Sequence, residues 1–172
     1  MKTLIWCSIF AFLCTGCATI DKSKTVSYNQ WTVKLPQGWV VNEQPGGDSG
    51  GIEIGRVLTN DINGETNGVV SLSINPIGNE TSEDWLKIHV SPVTPGDKIS
   101  DEVITQFGGM QGKGNKRLGK DELMGGGEGI TFIPNSGQHL EHNVIRVELF
   151  GDPKLCDPKW EQEVDYILRN AN

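Results

Sequence analysis

The sequence WTVKLPQGW, residues 31–39, is the stretch that most clearly indicates the fold class of this chain. Its first half alternates apolar and polar side chains, which is the period of a strand with one buried face. The apolar positions are Trp31, Val33 and Leu35. Pro36 and Gly38 then predict a tight turn, and Trp39 begins a second extended segment. This stretch predicts a sheet protein whose short strands follow one another through turns.

Further strands are predicted by the same two-residue period. They fall at residues 52–57, 70–74, 130–133 and 144–150. The first two flank the sequence DING at residues 61–64, which is a strong turn signal, so we predict that they form a hairpin. A polar turn at residues 134–143 separates the last two strands.

Two helices are predicted with defined ends. Thr81 is the expected N-cap of a short helix that contains Trp85 and ends at Pro92. The closing helix has Asp157 as its cap and Pro158 in its first position. Its apolar stripe consists of Trp160, Val164, Ile167 and Leu168.

The apolar spacing within residues 99–107 predicts a further helix, ended by Gly108 and Gly109, and leaves a strand as the alternative. The apolar residues are Ile99, Val103, Ile104 and Phe107. Residues 108–129 contain nine glycines, which predicts an exposed hairpin region and not a packed element.

A group of four cations stands in this glycine-rich region. Its members are Lys113, Lys116, Arg117 and Lys120. On a flexible loop, four cations within eight residues could contact lipid headgroups or an acidic partner. The alternative is a solvated loop that its charge keeps soluble.

Strands dominate the pattern, and helices come between and after them. This order favours an α+β fold, an antiparallel β-sheet flanked by helices. We predict that residues 29–172 form a single domain, because their number suits one core and not two.

The N-terminus predicts export and lipid attachment. A charged start, a short apolar run and small residues before Cys17 are typical of a secretory signal at residues 1–16, and the run is too short to span a bilayer. This sequence resembles the lipobox of bacterial lipoproteins, which implies lipidation of Cys17 and a short polar tether at residues 17–28. Cys14 stands where that family usually has leucine, so release after ordinary secretion is the alternative. Ala18 implies the outer membrane, facing the periplasm, with the inner membrane and the cell surface left open.

Charge and cysteine content exclude several classes of function. The chain has 15 basic and 22 acidic side chains, and loss of Lys2 with the signal would leave 14 against 22, a net charge of −8. This sign argues against binding to nucleic acid and against broad adhesion to anionic lipid. Cys7 and Cys14 would leave with the signal and Cys17 would carry the lipid. Cys156 would then remain alone, so no internal disulfide is expected.

Three motifs suggest chemistry, and each lacks a required part. Residues 47–51 have the GDSGG sequence of a chymotrypsin-like nucleophile, but no histidine precedes the serine. Residues 114–120 match the front of a phosphate-binding P-loop, but Asp121 stands where Ser or Thr would hold magnesium. His139 and His142 would lie on one face of a helix but on opposite faces of a strand, and we interpret them as turn residues. No catalytic residue, metal site, cofactor or small-molecule substrate is predicted.

The order of elements resembles that of the PsbP-like and DcrB-like proteins. The similarity depends on the motif at residues 31–39, the early hairpin, the Thr81-capped helix with Trp85, the late strands and the closing helix. It spans most of residues 28–170. The resemblance implies an antiparallel sheet flanked by helices, frequent lipid anchoring in bacteria, and accessory, assembly or chaperone-like roles more than enzymatic ones. It supplies no catalytic residue.

These observations leave three hypotheses for the function. We favour a non-enzymatic, membrane-anchored periplasmic protein that binds a partner protein or assists assembly at the envelope. The second hypothesis is an immunity protein that neutralises a toxin delivered to the periplasm, which the small size and acidic charge would suit. A hydrolase or metal enzyme is the third, and it requires His139, His142 or Cys156 to line a pocket.

Overall fold

The computed structural model describes residues 23–42, 50–59, 66–89, 99–119, 129–151 and 159–172, which form nine strands and two helices. In chain order these are β1 (Lys24–Tyr28), β2 (Trp31–Leu35), β3 (Val40–Val41), β4 (Ile52–Thr59), β5 (Thr66–Pro76), α1 (Ser82–His89), β6 (Ile99–Phe107), β7 (Met110–Gly119), β8 (Gly129–Pro134), β9 (Asn143–Gly151) and α2 (Lys159–Arg169). Several sequence predictions lie outside the described residues, namely those for the signal peptide at 1–16, Cys17, Pro92, Lys120, Cys156, Asp157 and Pro158.

Seven strands form one antiparallel sheet in the order β3-β4-β5-β9-β8-β7-β6. β4 and β5 form the predicted hairpin, with Ile52 opposite Ile74. The chain then passes through α1 to β6 at the far edge and returns strand by strand to β9, beside β5. β1 and β2 form a separate antiparallel pair. The prediction of an antiparallel sheet with helices in one domain is therefore confirmed.

The main core lies on one face of the sheet, called here the inner face. α2 and the β1–β2 pair cover this face, so their apolar side chains and those of the sheet form one cluster. The predicted stripe of α2 is buried in it, at Trp160, Val164, Ile167 and Leu168. Each fully buried aliphatic side chain contributes roughly 2 kcal/mol through removal of its surface from water. In the described part of the chain, no helix is long and apolar enough to cross a membrane.

The motif at residues 31–39 holds the β1–β2 pair against the sheet. Trp31, Val33 and Leu35 are buried and alternate with exposed residues, as predicted. The turn closes with the N–H of Trp39 donating to the carbonyl of Pro36 at 3.2 Å, and Gly38 adopts a φ of 90°, which favours glycine. The motif is therefore structural.

The helix predicted for residues 99–107 is wrong, because this segment is strand β6 at the edge of the sheet. The strand has an irregular register between Ile104 and Gln106. This bulge shifts the alternation, so that Ile104 and Phe107 both pack against the core. A spacing of three residues between inward side chains therefore came from a bulge and not from a helical turn.

The exposed hairpin predicted for residues 108–129 is also wrong over most of its described part, because Met110–Gly119 is strand β7, paired on both sides. Gly112 and Gly114 are buried and lie against the ring of Phe132 on the neighbouring strand. These two glycines allow β7 and β8 to approach closely, and they do not indicate a loop.

The last part of the segment predicted as a tether, residues 17–28, belongs to the folded domain. Lys24–Tyr28 is strand β1, and its partly buried Val26 and Tyr28 pack against the core. Ser23, just before this strand, accepts a hydrogen bond from the hydroxyl of Tyr166 on α2 at 3.0 Å. The folded body therefore begins within the predicted tether.

Candidate functional site

The face of the sheet that turns away from α2, called here the outer face, has three zones. The two-residue alternation places its side chains opposite one another across neighbouring strands. One end is covered by α1, the middle is polar, and the other end is apolar and exposed.

α1 covers one end of the outer face. Its Trp85 and Leu86 pack against a second buried cluster, formed by Ile77, Ile133 and Val144. The helix begins as predicted, because the hydroxyl oxygen of Thr81 accepts a hydrogen bond from the N–H of Asp84 at 3.2 Å. This end of the face therefore already binds an amphipathic helix of the same chain.

The middle of the outer face carries charges of both signs that lie close together. Arg146 and Glu148 on β9 approach to 3.4 Å. Asp101 on β6 lies 3.6 Å from Arg117 and accepts a hydrogen bond from the side-chain amide of Asn115 at 3.0 Å. The Arg146–Glu148 pair is exposed and the Arg117–Asp101 pair is half-buried. An exposed pair contributes at most about 1 kcal/mol, so Arg146 and Glu148 shape the surface more than they stabilise it.

The far end of the outer face is an apolar strip, defined as Val40, Val57, Val69 and Phe150. Val57 lies opposite Val69 and Val69 opposite Phe150, while Val40 faces Gly55 across the β3–β4 pair. Val40, Val57 and Phe150 are 56%, 54% and 43% exposed. Val40 is therefore diagonal to Val57, which lies two residues further along β4 than Gly55. The strip therefore runs across four strands.

The four predicted basic residues do not form one loop cluster. Lys113 and Arg117 lie on the outer face, and Lys113 is 3.7 Å from Glu83 of α1. Lys116 stands opposite Ile130, whose side chain is in the inner core, so Lys116 lies on the other face. Lys120 lies outside the described residues. The strand alternation divides this group, and its contact with lipid or an acidic partner stays a prediction.

The two candidate histidines lie in the turn between β8 and β9, as predicted. The Nε2 of His139 donates to the carbonyl oxygen of Leu168 at 3.1 Å, and the side chain of His142 is largely exposed. His142 and Leu140 adopt φ angles of 63° and 60°, which are uncommon for residues with a Cβ. Among the described residues, no three His, Cys, Asp or Glu side chains are placed to hold a metal ion.

Glu141 stabilises this turn through its carboxylate. The carboxylate accepts hydrogen bonds from the N–H of Gly137 at 2.5 Å and from the hydroxyl of Ser136 at 3.2 Å. The Gly137 bond lowers the pKa of Glu141 most, followed by the Ser136 bond; desolvation opposes them, and the charge of His142 lowers the pKa least. The carboxylate of Glu141 therefore stays ionised to a lower pH than an ordinary glutamate, whose pKa is 4.5.

Acid should therefore loosen the turn. Because the pKa of Glu141 is lower in the folded state, its stabilising effect is complete above the ordinary value of 4.5 and is lost as the pH falls through the lowered folded value. We expect the amide proton of Gly137 to shift in NMR spectra in that acidic range, and we expect Glu141→Gln to abolish the shift. A midpoint at or above 4.5 would contradict this account.

The apolar strip was missed by the sequence analysis, although a signal was present. Val69-Val70 and Leu149-Phe150 are pairs of adjacent apolar residues within strands. A strand with one solvated face should alternate, so adjacent apolar residues indicate that both faces make apolar contacts at that point. The exposed residues of these pairs belong to the strip.

Comparison with known protein families and with curated proteins found no match to this chain.

Proposed function

We propose that this chain is a lipid-anchored, non-enzymatic protein of the bacterial outer membrane that faces the periplasm and binds a partner protein or assists assembly there. The observation that carries the proposal is the apolar strip, because exposed and contiguous apolar side chains mark protein interaction sites. The lipobox resemblance at Cys17 supplies the location.

The proposal includes a PsbP-like fold for the domain. Its support is the order of elements, in which the motif of β2 and the β4–β5 hairpin precede α1, four strands follow, and an amphipathic helix closes the chain. The buried Trp31 and Trp39 of that motif add a specific similarity.

The absence of an enzymatic role is part of the same proposal. An enzyme would need its polar groups to converge, whereas His139 is bonded to a helix carbonyl and His142 points into solvent. Among the described residues, these two side chains are not accompanied by a metal-binding group of acids or thiols. The polar groups of the outer face pair with one another in oppositely charged couples.

Cys17→Ala should release the protein from the membrane. A cysteine-linked multi-chain anchor supplies about 0.8 kcal/mol per buried methylene, and its loss leaves the domain without an attachment. We expect labelling by a fatty-acid probe to disappear and the protein to move from the membrane fraction to the soluble fraction. Cys156→Ala is the matched control and should keep both properties. Retention of the Cys17→Ala protein in the membrane would overturn the localisation.

The partner is tested by affinity capture of the native lipidated protein from cross-linked membranes. A reproducible envelope protein supports the proposal, and its absence across repeated captures would contradict it. Recovery of a toxin would instead favour the immunity hypothesis.

A further inference from the structure

Strand β6 forms one edge of the seven-stranded sheet, and among the described residues it pairs on one side only, with β7. Alternate residues of an edge strand direct their N–H and C=O groups away from the sheet, where they are open to a further strand. The register of β6 with β7 is regular over the six residues from Ile99 to Ile104. A regular edge of this length extends about 20 Å, which is the length of a typical strand. The strand at the opposite edge, β3, has only two residues.

Both faces of the sheet are open beside this edge. Glu102 belongs to the inner face, because it stands opposite Lys116, and Val103 belongs to the outer face. Both residues are exposed, and Val103 is 75% exposed. The helices and the β1–β2 pair therefore do not cover the middle of β6 on either face, and a strand beside it has room.

The sequence of β6 lacks the usual protection of an edge strand. Natural edges are often blocked by proline, by lysine or by shortness. The nine residues of β6, ISDEVITQF, contain neither proline nor lysine, and their only charged side chains are the acids Asp101 and Glu102. The irregular register begins after Ile104, so it leaves the first six residues available. The two acids therefore decide which strands this edge accepts.

The two carboxylates of β6 differ in their partners. Asp101 accepts a hydrogen bond from Asn115 at 3.0 Å and lies 3.6 Å from Arg117. The carboxylate of Glu102 is exposed and makes no hydrogen bond or ion pair in the part of the chain that the structure describes. Opposite charges on directly facing residues stabilise a pair of strands, and like charges destabilise it. An added strand is therefore favoured when it places a basic residue opposite Glu102.

This charge requirement disfavours pairing between the β6 strands of two copies of the chain. Antiparallel pairing about Val103 would place Ile104 of one copy opposite Glu102 of the other. β6 contains no basic residue, so no other register of two β6 strands places a cation opposite Glu102 either. The favoured occupant is a strand of a different protein.

The residues that follow Glu102 define the rest of the segment. Val103 is exposed, so a β-branched or aromatic residue opposite it forms an apolar cross-strand pair. Ile104 is partly buried against the core, and an apolar residue opposite it continues this cluster. All neighbouring strands of the described sheet are antiparallel. In that orientation the partner's residues opposite Ile104, Val103 and Glu102 read apolar, apolar and basic in chain order.

We infer that β6 binds an extended, basic segment of the partner protein as an additional strand of the sheet. The segment runs antiparallel to β6, its backbone bonds to the outward-directed N–H and C=O groups, and its lysine or arginine pairs with Glu102. This inference rests on the proposed function for the occupant being a partner protein. It names the conformation and the chemical class of the segment that binds, at a surface separate from the apolar strip.

The probe is a peptide of about eight residues in which two valines precede a lysine and the other positions are threonine or serine, a length that covers the regular part of β6. Binding to the full chain is measured by fluorescence anisotropy. One control peptide has glutamate in place of the lysine, and the other has methylated backbone nitrogens at both valines, which cannot donate to the edge. We expect each control to bind at least about tenfold more weakly. Equal binding of either control would overturn the inference.

Reversal of a charge locates the site. Glu102→Lys should weaken binding of the lysine peptide about tenfold and strengthen binding of the glutamate peptide by a similar factor. Glu161→Lys is the matched control, because it makes the same change in net charge at an exposed carboxylate of α2. It should leave both affinities unchanged. Equal effects of the two variants would show that only the overall charge attracts the peptide, and the inference would fail.

Amide hydrogen exchange tests whether the peptide adds as a strand. Binding should slow the exchange of the outward-directed amides between Ser100 and Ile104 at least about tenfold, and it should leave Val40 and Val41 of β3 unchanged. Protection at β3 in place of β6 would overturn the inference. Protection of β6 that rises with protein concentration in the absence of peptide would identify a second copy as the occupant, which also overturns it.

A photo-reactive residue at position 103 or 57 separates this inference from the proposed function. Capture of a membrane-associated partner from position 103, through an extended basic segment, supports both. Absence of capture at position 103, or capture there through a segment without basic residues, overturns the inference. The proposed function then still stands if position 57 or affinity capture recovers an envelope protein. Failure of both positions and of affinity capture overturns the proposed function itself.

Discussion

Gly114→Ala is expected to lower the free energy of unfolding by about 3 kcal/mol, one of the two largest effects we expect from a single substitution. A Cβ at this position would lie 2.3 Å from the carbonyl oxygen of Thr131 and 2.9 Å from the Cα of Phe132. Both are backbone atoms of β8, which cannot move aside as a side chain can. Strands β7 and β8 would have to separate, and Phe132 would lose its packing in the core.

Gly55→Ala is the matched control for this prediction. Gly55 also lies within a strand of the same sheet, but a Cβ there would make only an ordinary contact. Alanine at position 55 should therefore leave stability unchanged or raise it by about 0.5 kcal/mol, because glycine is disfavoured inside strands. Urea unfolding followed by circular dichroism measures both variants. Equal midpoints for the two would show that the close approach at Gly114 is not required.

The sequence predicted those elements in which local preference and tertiary packing agree. The alternating residues Trp31, Val33 and Leu35 form the buried face of β2, and the predicted cap Thr81 lies at the start of α1. The apolar stripe from Trp160 to Leu168 became the contact of α2 with the core. In each case one short segment contained the whole signal.

The sequence failed where the cause lay on another strand. Gly112 and Gly114 indicate a loop by composition, yet they are needed because the backbone carbonyls of β8 and the ring of Phe132 occupy the space that their side chains would fill. The irregular spacing of Ile104 and Phe107 depends on a bulge that exists only through pairing with β7. No property of either segment alone distinguishes these situations.

The residues of the candidate site were likewise predictable only where one segment contained the signal. Lys113 and Lys116 are three residues apart in the sequence, but the strand alternation places them on opposite faces of the sheet. The apolar strip combines residues from four separate strands, so it becomes visible only when the order of the strands is known. Adjacent apolar pairs such as Val69-Val70 indicate that a second face of the sheet is apolar, but they do not predict which residues of other strands lie beside them on that face.

Glu163 is the second residue whose replacement should be costly. It falls within the apolar stripe of α2, and its carboxylate accepts hydrogen bonds from the guanidinium of Arg56 on β4 and, at 2.8 Å, from the indole N–H of Trp39. The side chains of Arg56 and Glu163 are only 20% and 14% exposed. One carboxylate therefore joins the helix, the sheet and the turn of the 31–39 motif.

Glu163→Ala should destabilise the protein by about 2–3 kcal/mol, because it leaves a mostly buried guanidinium and an indole N–H without their acceptor. Glu163→Gln should cost less, since its amide oxygen can still accept from Trp39 while the charge opposite Arg56 is lost. Glu161→Ala removes an exposed carboxylate from the same helix and should cost at most about 0.5 kcal/mol. In denaturant unfolding, Glu163→Ala should be the least stable variant, Glu163→Gln intermediate and Glu161→Ala the most stable. The double variant Arg56→Met with Glu163→Ala should recover part of the lost stability, because the unpaired buried charge of Arg56 is then gone. If the single Glu163→Ala variant is no less stable than Glu161→Ala, the carboxylate is not what holds α2 to β4 and Trp39, and the apolar stripe alone must do so.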